Sequence, residues 1–235
     1  MDLARLEKNL KAKISKLYFS KFPLDGEQVE IKDFDKNMRR LRMFQRKLHV
    51  HAELTKKREK KAEMLAKYRG LLCAARRAIS SGKMIMALDI ERSYTEVTQE
   101  IGITIFQNGK MQSFNLRIKN SPPRPDKFHF GSSNDMSWNE AKDVVLRYAA
   151  ETTFYVGHSL CVDFEHMRLN GLVLPEHPWL DTNDLSYLTN MQGSKLVELA
   201  GHLQIDTPVP HCGGNDARYN MEVLLAMVEN YGPAS

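Results

Sequence analysis

Seven residues, MIMALDI (84–90), set the firmest limit on what this chain can fold into. The run is too short for a buried helix and is preceded by Ser80-Ser81-Gly82. It reads as a strand buried on both faces. A strand of that kind needs layers of structure above and below it. Its end is unusual, because Asp89 and Glu91 follow an apolar run. Residues two apart on a strand point to one face. Two carboxylates there suffer desolvation and mutual repulsion, which a bound divalent cation would offset. The plainer alternative is that the strand has already ended and both acids are solvated.

The segments that follow place this strand in a sheet. VTQEIGITIF (97–106) and KMQSFNLRI (110–118) are strand candidates joined by a turn at Asn108-Gly109. A loop rich in Pro, Lys and Ser covers 119–137. Ser137 with Glu140 forms a capping box for a helix carrying Ala141, Val144, Val145, Tyr148 and Ala149. A strand at 153–156, a helix over 160–169 and a short strand from Trp179 come next. Helices over 195–203 and 216–231 complete the chain. Three strands, then strands alternating with helices, imply an α/β fold with a mixed sheet flanked by helices.

Ahead of this lies a different kind of sequence. Residues 1–83 hold 23 Lys+Arg against 10 Asp+Glu, and the remainder holds 11 against 19. We divide the chain at 82/83, into a basic helical region and an acidic domain (83–235). Leu3, Leu6, Leu10 and Ile14 suggest a short helix within 1–24, ended by Pro23 and Gly26. A longer helix runs from Asp33 or Asp35 to about Ser80. Met38, Leu41, Phe44 and Leu48 trace one stripe on it, and Leu65, Tyr68, Leu72, Ala75 and Ile79 trace another. TKKREKK (55–61) between them has no apolar face, so one helix and two are both open. The stripes fit packing on the chain's own core, on a protein partner or on a second copy. The basic clusters Arg39, Arg40, Arg42, Arg46, Lys47 and Lys56, Lys57, Arg58, Lys60, Lys61 are either a solvated face or a surface for phosphates.

Several classes are disfavoured. No apolar run approaches the roughly 18 residues that a membrane span needs. The N-terminus lacks a secretory pattern. Cys73, Cys161 and Cys212 are far apart and form no CxxC pair, against a zinc site or a disulfide framework. A soluble intracellular protein of cytoplasm or nucleus is expected, with no membrane partner.

Two further constellations carry chemistry. Gly157-His158-Ser159-Leu160-Cys161-Val162-Asp163 puts an acid at the start of a helix after a strand. Alone, Asp163 is an ordinary first-turn acid. His211-Cys212-Gly213-Gly214-Asn215-Asp216 puts an imidazole on a loop beside a helix-borne carboxylate. A general base next to a metal ligand needs such an arrangement. The glycine pair is expected to loosen the His211 loop.

Taken together, 84–232 resembles the DEDDh exonuclease family of the ribonuclease H-like fold. Asp89-Ile90-Glu91 matches the first motif. Gly157 to Asp163 matches the second, with Ser159 where Asn is usual. His211 to Asp216 matches the third. Glu100-Ile101-Gly102, Asp181-Thr182 and the helix from Lys195 agree, and Phe128–Ser133 resembles a feature of a partly fungal subgroup. The resemblance implies 3′–5′ hydrolysis of RNA or DNA with two divalent cations, Mg²⁺ or Mn²⁺, releasing nucleoside 5′-monophosphates. It implies Asp89 on both cations, Glu91 and Asp216 on the one carrying the attacking water, Asp163 on the second, and His211 as general base. Ile90, Arg92, His158, Ser159 and Phe164 would border the terminal nucleotide, and the basic region would hold the backbone. The alternative is a nucleic-acid-binding or interaction module that keeps the fold with weak or no catalysis.

Overall fold

The computed structural model describes residues 31–231 apart from 123, 190 and 192–194. Side chains within 31–48 are described only at Met43 and Arg46. The helix expected within 1–24 and the stripe from Met38 to Leu48 therefore lie outside the described residues. Two compact units divide the chain, residues 1–59 and 60–235.

Helix α1 spans Ile31–Ser80 without a break. The TKKREKK stretch is helical throughout, which resolves the choice in favour of one helix. Lys, Arg and Glu are good helix formers, so an all-polar turn can continue a helix that packing anchors elsewhere. In the first unit, Arg46, Lys56, Lys57 and Arg58 are exposed; Lys60 and Lys61 open the second unit and are exposed too.

In the second unit the C-terminal part of α1 joins the core. Tyr68, Leu72, Ala75 and Ala78 are buried. From Tyr68 to Ile79 the stripe thus covers the chain's own core. Residues 60–82, grouped with the basic region by sequence, thus fall in the second compact unit. Leu72→Ala should destabilise the protein by about 2–5 kcal/mol, read from urea denaturation, because it opens a cavity at a fully buried position. A change under half a kcal/mol would mean that this turn is dispensable to the core.

The sheet has six strands. They are β1 (Met84–Arg92), β2 (Thr98–Gln107), β3 (Lys110–Ile118), β4 (Asn134–Met136), β5 (Thr152–Gly157) and β6 (Trp179–Asp181). Their order is β4-β3-β2-β1-β5-β6. β1, β2 and β3 are antiparallel neighbours, whereas β5 runs parallel to β1 and β6 parallel to β5. This is the mixed α/β sheet flanked by helices that the sequence implied. The short strand β4 was not foreseen. It pairs three residues of the Pro- and Ser-rich segment with the edge of β3, too few to leave an alternating pattern.

β1 lies inside the sheet with both faces covered, which is why its sequence is apolar without alternation. Ile85 and Ala87 face one core cluster with residues of helix α6 (Gly213–Tyr231) and the end of α1. Met84, Met86, Leu88 and Ile90 face the other, with α2 (Trp138–Glu151) and α3 (Leu160–Leu169). Ser137 and Glu140 make the expected capping box at the start of α2. Two short helices, α4 (Thr182–Leu185) and α5 (Leu196–His202), fill the connection to α6.

Candidate active site

Asp89 and Glu91 stand on the α6 face of β1. Their partners across β2 are Gly102 and Glu100, with a register shift after Glu91. Two acids from β1, one buried acid from β2 and the start of α6 thus meet at one place on the sheet.

Helix α6 begins at Gly213, three residues before the expected Asp216. Its first turn lies directly on β2 and β3. Gly213 N donates to Glu100 Oε2 (3.0 Å) and Gly214 N to Asn115 Oδ1 (3.0 Å). A Cβ on Gly102 would run into the Gly213 carbonyl, and one on Gly214 would lie 2.7 Å from both Asn115 Cβ and the Phe128 ring. The glycine pair does not loosen the His211 loop as the sequence suggested. It lets a helix end and a sheet approach within backbone contact.

Both backbone polar groups of His211 are held as well. Its N–H donates to Asp216 Oδ2 (3.0 Å) and its carbonyl accepts from Arg124 Nη2 (2.6 Å). Its φ is 60°, an uncommon value for a residue with a side chain. The imidazole is exposed while the backbone beneath it is fixed. Nearby, Lys127 to Ser133 form a brace. His129 N donates to Asn215 Oδ1 (2.9 Å), Asn215 Nδ2 donates to the Lys127 carbonyl (3.0 Å), and Phe128 abuts Gly214. The Phe128–Ser133 stretch thus holds the third motif in place.

Asp163 arrives from the first turn of α3. Asp181, at the end of β6, anchors that turn by accepting from Ser159 N (2.8 Å) and Leu160 N (2.9 Å). Ser159 takes φ 60° at the helix entry and its side chain makes no cap bond. Asn tolerates this conformation better than Ser, so the departure from the family pattern bears on backbone strain rather than on a ligand. His158 Nδ1 lies 3.0 Å from Thr182 Oγ1, which also donates to Asn220 Oδ1 (2.9 Å).

The electrostatics are those of an acid cluster short of positive charge. Burial, followed by the charges of Asp216, Asp163 and Glu91, holds the Asp89 carboxyl well above its ordinary range. Burial also pushes Asp163 and Asp216 up to about 7, with Glu91 adding to both shifts. Ligand atoms of Glu91, His211 and Asp216 all lie within 4.8 Å of one another. Asp216 Oδ1 is buried with no hydrogen-bond partner. An orphaned carboxylate oxygen among acids that repel one another is the environment in which a hard divalent cation fits. Cys212 alongside is buried and its thiol is pushed up to about 12, so no thiolate enters the donor set.

A pH dependence follows. An unfolded Asp titrates near about 3.9, whereas Asp163 and Asp216 in the fold titrate near about 7. Between these values the folded protein holds protons that the unfolded chain releases. Metal-free stability should therefore be greatest below about pH 4, fall as pH rises to about 7, and level off above it. Urea denaturation in a chelator reads this decline, and Asp216→Asn should flatten it. A wild-type profile indistinguishable from Asp216→Asn would contradict the assignment.

The Ile90 side chain is buried in the core, which leaves only its backbone to face a ligand. Arg92 pairs with Glu96 (2.6 Å). An open groove of about 800 Å³ runs beside Glu91, lined by Arg92, Tyr94, Gln99, Pro122 and Arg124. Phe164 packs edge-on against Tyr155 (5.8 Å between centroids) and Trp179 (5.9 Å). Arg124, unforeseen in the sequence, pairs with Glu91 Oε2 at 2.9 Å. It sits in an irregular loop, where no periodicity marks a residue that reaches across the sheet.

Residues 114–227 match the family model for the DNA polymerase III subunit epsilon-like, C-terminal domain, of DEDDh type. Over just under half of its length the chain is thus similar to a domain of DEDDh type. The matched region takes in Asp163, His211 and Asp216, and the first motif precedes it. DEDDh domains are nuclease-type folds that act on nucleic acid with divalent metal ions. An uncharacterized nucleolar protein of Schizosaccharomyces pombe (strain 972) is 26% identical over 156 residues, covering 58% of this chain and 64% of that protein. The chain thus spans under two thirds of that relative's length. Among solved structures, the Saccharomyces cerevisiae apo Pan2 pseudoubiquitin hydrolase–RNA exonuclease module in complex with AAGGA RNA is a distant likeness. It shows 15% identity and a TM-score of 0.41, with 64% of this chain and 30% of that chain covered. Among the described residues no helix is long and apolar enough to cross a membrane.

Proposed function

We propose that the chain is an active 3′–5′ exonuclease that hydrolyses RNA or DNA to nucleoside 5′-monophosphates. The observation that supports this best is the meeting of Glu91, His211 and Asp216 within 4.8 Å, with a buried, unpartnered Asp216 oxygen. Asp89, Glu91, Asp163 and Asp216 would hold two divalent cations, Mg²⁺ or Mn²⁺. When bound, such cations supply a water of lowered pKa and stabilise charge on the phosphoryl oxygens. His211 accepts the proton of the attacking water on its imidazole. The backbone from Ile90 to Arg92, with His158, Ser159 and Phe164, borders the terminal nucleotide. The 3′ polarity and the product rest on the family resemblance.

The exposed cations Arg46, Lys56, Lys57, Arg58, Lys60 and Lys61, with Arg39, Arg40, Arg42 and Lys47 on the same helix, would hold the nucleic-acid backbone. Residues 1–82 act in this reading as a binding arm for a domain that is itself acidic. A nuclear setting would suit the protein, since the fission-yeast relative is named as nucleolar.

A 5′-labelled oligonucleotide with a free 3′ hydroxyl tests the polarity against the same strand blocked at its 3′ end. A ladder from the free strand alone is expected, for RNA, DNA or both. Equal cutting of both strands, or internal cuts, would overturn the 3′–5′ assignment. Binding of both strands with no cutting would favour a module that kept the fold and lost catalysis.

A further inference from the structure

Arg124 is the side chain least explained by the chemistry above. It enters the acid cluster from the loop between β3 and β4, and that loop is pinned at several points. Gln99 Nε2 donates to the Pro122 carbonyl (2.9 Å) and Arg117 Nη2 to the Arg124 carbonyl (3.0 Å). The guanidinium is thereby delivered to a set place. Nη1 lies 2.9 Å from Glu91 Oε2 and 3.9 Å from Glu100 Oε2. Nη2 donates to the His211 carbonyl at 2.6 Å. One planar fork therefore spans a candidate cation ligand and the backbone of the candidate base. A lysine keeps the charge but lacks this planar two-pronged geometry.

The two contacts differ in kind. Nη2 donates to a neutral carbonyl, whereas Nη1 pairs with the Glu91 carboxylate. The Glu91 contact pairs opposite charges, so another cation can take the place of the guanidinium there.

We propose that Arg124 is a resident counter-ion of the acid cluster: it competes with divalent cations for Glu91 while holding the His211 loop by its carbonyl. The inference rests on the metal-dependent reading of the site. It makes Arg124 a positioning residue, because it acts through Glu91 and His211. Removing the guanidinium removes a positive charge beside the cation site, so cations should bind more tightly. The same change releases the His211 carbonyl.

The test needs no nucleic acid. Mn²⁺ is titrated into wild type, Arg124→Gln and Arg124→Lys, with free ion read by electron paramagnetic resonance. Arg124→Gln should bind Mn²⁺ about three- to tenfold more tightly, the effect of one screened charge a few ångströms away. Arg124→Lys should stay within about twofold of wild type. Both variants should exchange amide hydrogens across 209–216 faster than wild type. A merely structural role would instead weaken Mn²⁺ binding along with stability. Unchanged or weaker Mn²⁺ affinity in a folded Arg124→Gln overturns the proposal. If Arg124→Gln does not fold, Arg124→Lys decides: wild-type exchange across 209–216 overturns it, and faster exchange at wild-type Mn²⁺ affinity supports it. Absence of hydrolysis would count against the exonuclease reading while leaving this affinity result to stand or fall alone.

Discussion

Asp89→Asn is expected to lower hydrolysis by about 10³-fold or more while making the metal-free protein more stable. The two effects have one cause. Asp89 is the carboxyl on which the charges of Asp216, Asp163 and Glu91 converge. An amide of the same shape keeps the packing but removes the repulsion. It also removes the charge that a shared cation ligand must supply. Activity on a labelled oligonucleotide and the urea midpoint in a chelator, measured on one preparation, should therefore move in opposite directions. Parallel loss of both would mean that Asp89 serves the fold and not the chemistry. With saturating Mn²⁺ the order should reverse, because only wild type gains from the ion.

Gly102→Ala should have the largest effect on stability, a loss of about 3 kcal/mol or more. Its added methyl would meet the carbonyl of Gly213, which is helix backbone and not the end of a flexible side chain. Relief requires α6 to move away from β2. That movement breaks the bond from Gly213 N to Glu100 and shifts Asp216 and His211 with the helix. Activity should fall further than the unfolded fraction explains. Gly201→Ala in α5 is the control, since a Cβ there meets nothing within 4 Å. It should be neutral or slightly stabilising. Equal effects at the two sites would remove the close-approach explanation.

The sequence was informative where chemistry is local. Asp89 and Glu91 share a face because a strand has a period of two, and MIMALDI marks a strand buried on both sides. The capping box at Ser137 needed only four residues to recognise. What escaped depends on contacts between distant segments. Arg124 reaches Glu91 from a loop whose composition suggested only irregularity. Asp181 was visible as a family-like residue, but its bonds to Ser159 N and Leu160 N join segments about twenty residues apart. Gly213 and Gly214 read as flexible because a glycine pair in isolation is flexible. Here the space is already filled by β2, Asn115 and Phe128. The helical stripe at 65–79 was visible, yet only the fold decides that its partner is the chain's own core. This also bears on experiments with the basic arm. Truncation at residue 80 would take Tyr68 and Leu72 out of the core, so Lys56→Glu with Lys57→Glu is the better probe of a reduced salt dependence.

The most direct measurement is the product released from RNA and DNA oligonucleotides by purified protein with Mg²⁺ or Mn²⁺, identified by mass spectrometry. Wild type should release nucleoside 5′-monophosphates from at least one of the two, a chelator should stop it, and Asp89→Asn should leave the strands intact. Wild type and Asp89→Asn equally inert on single- and double-stranded RNA and DNA would contradict the account.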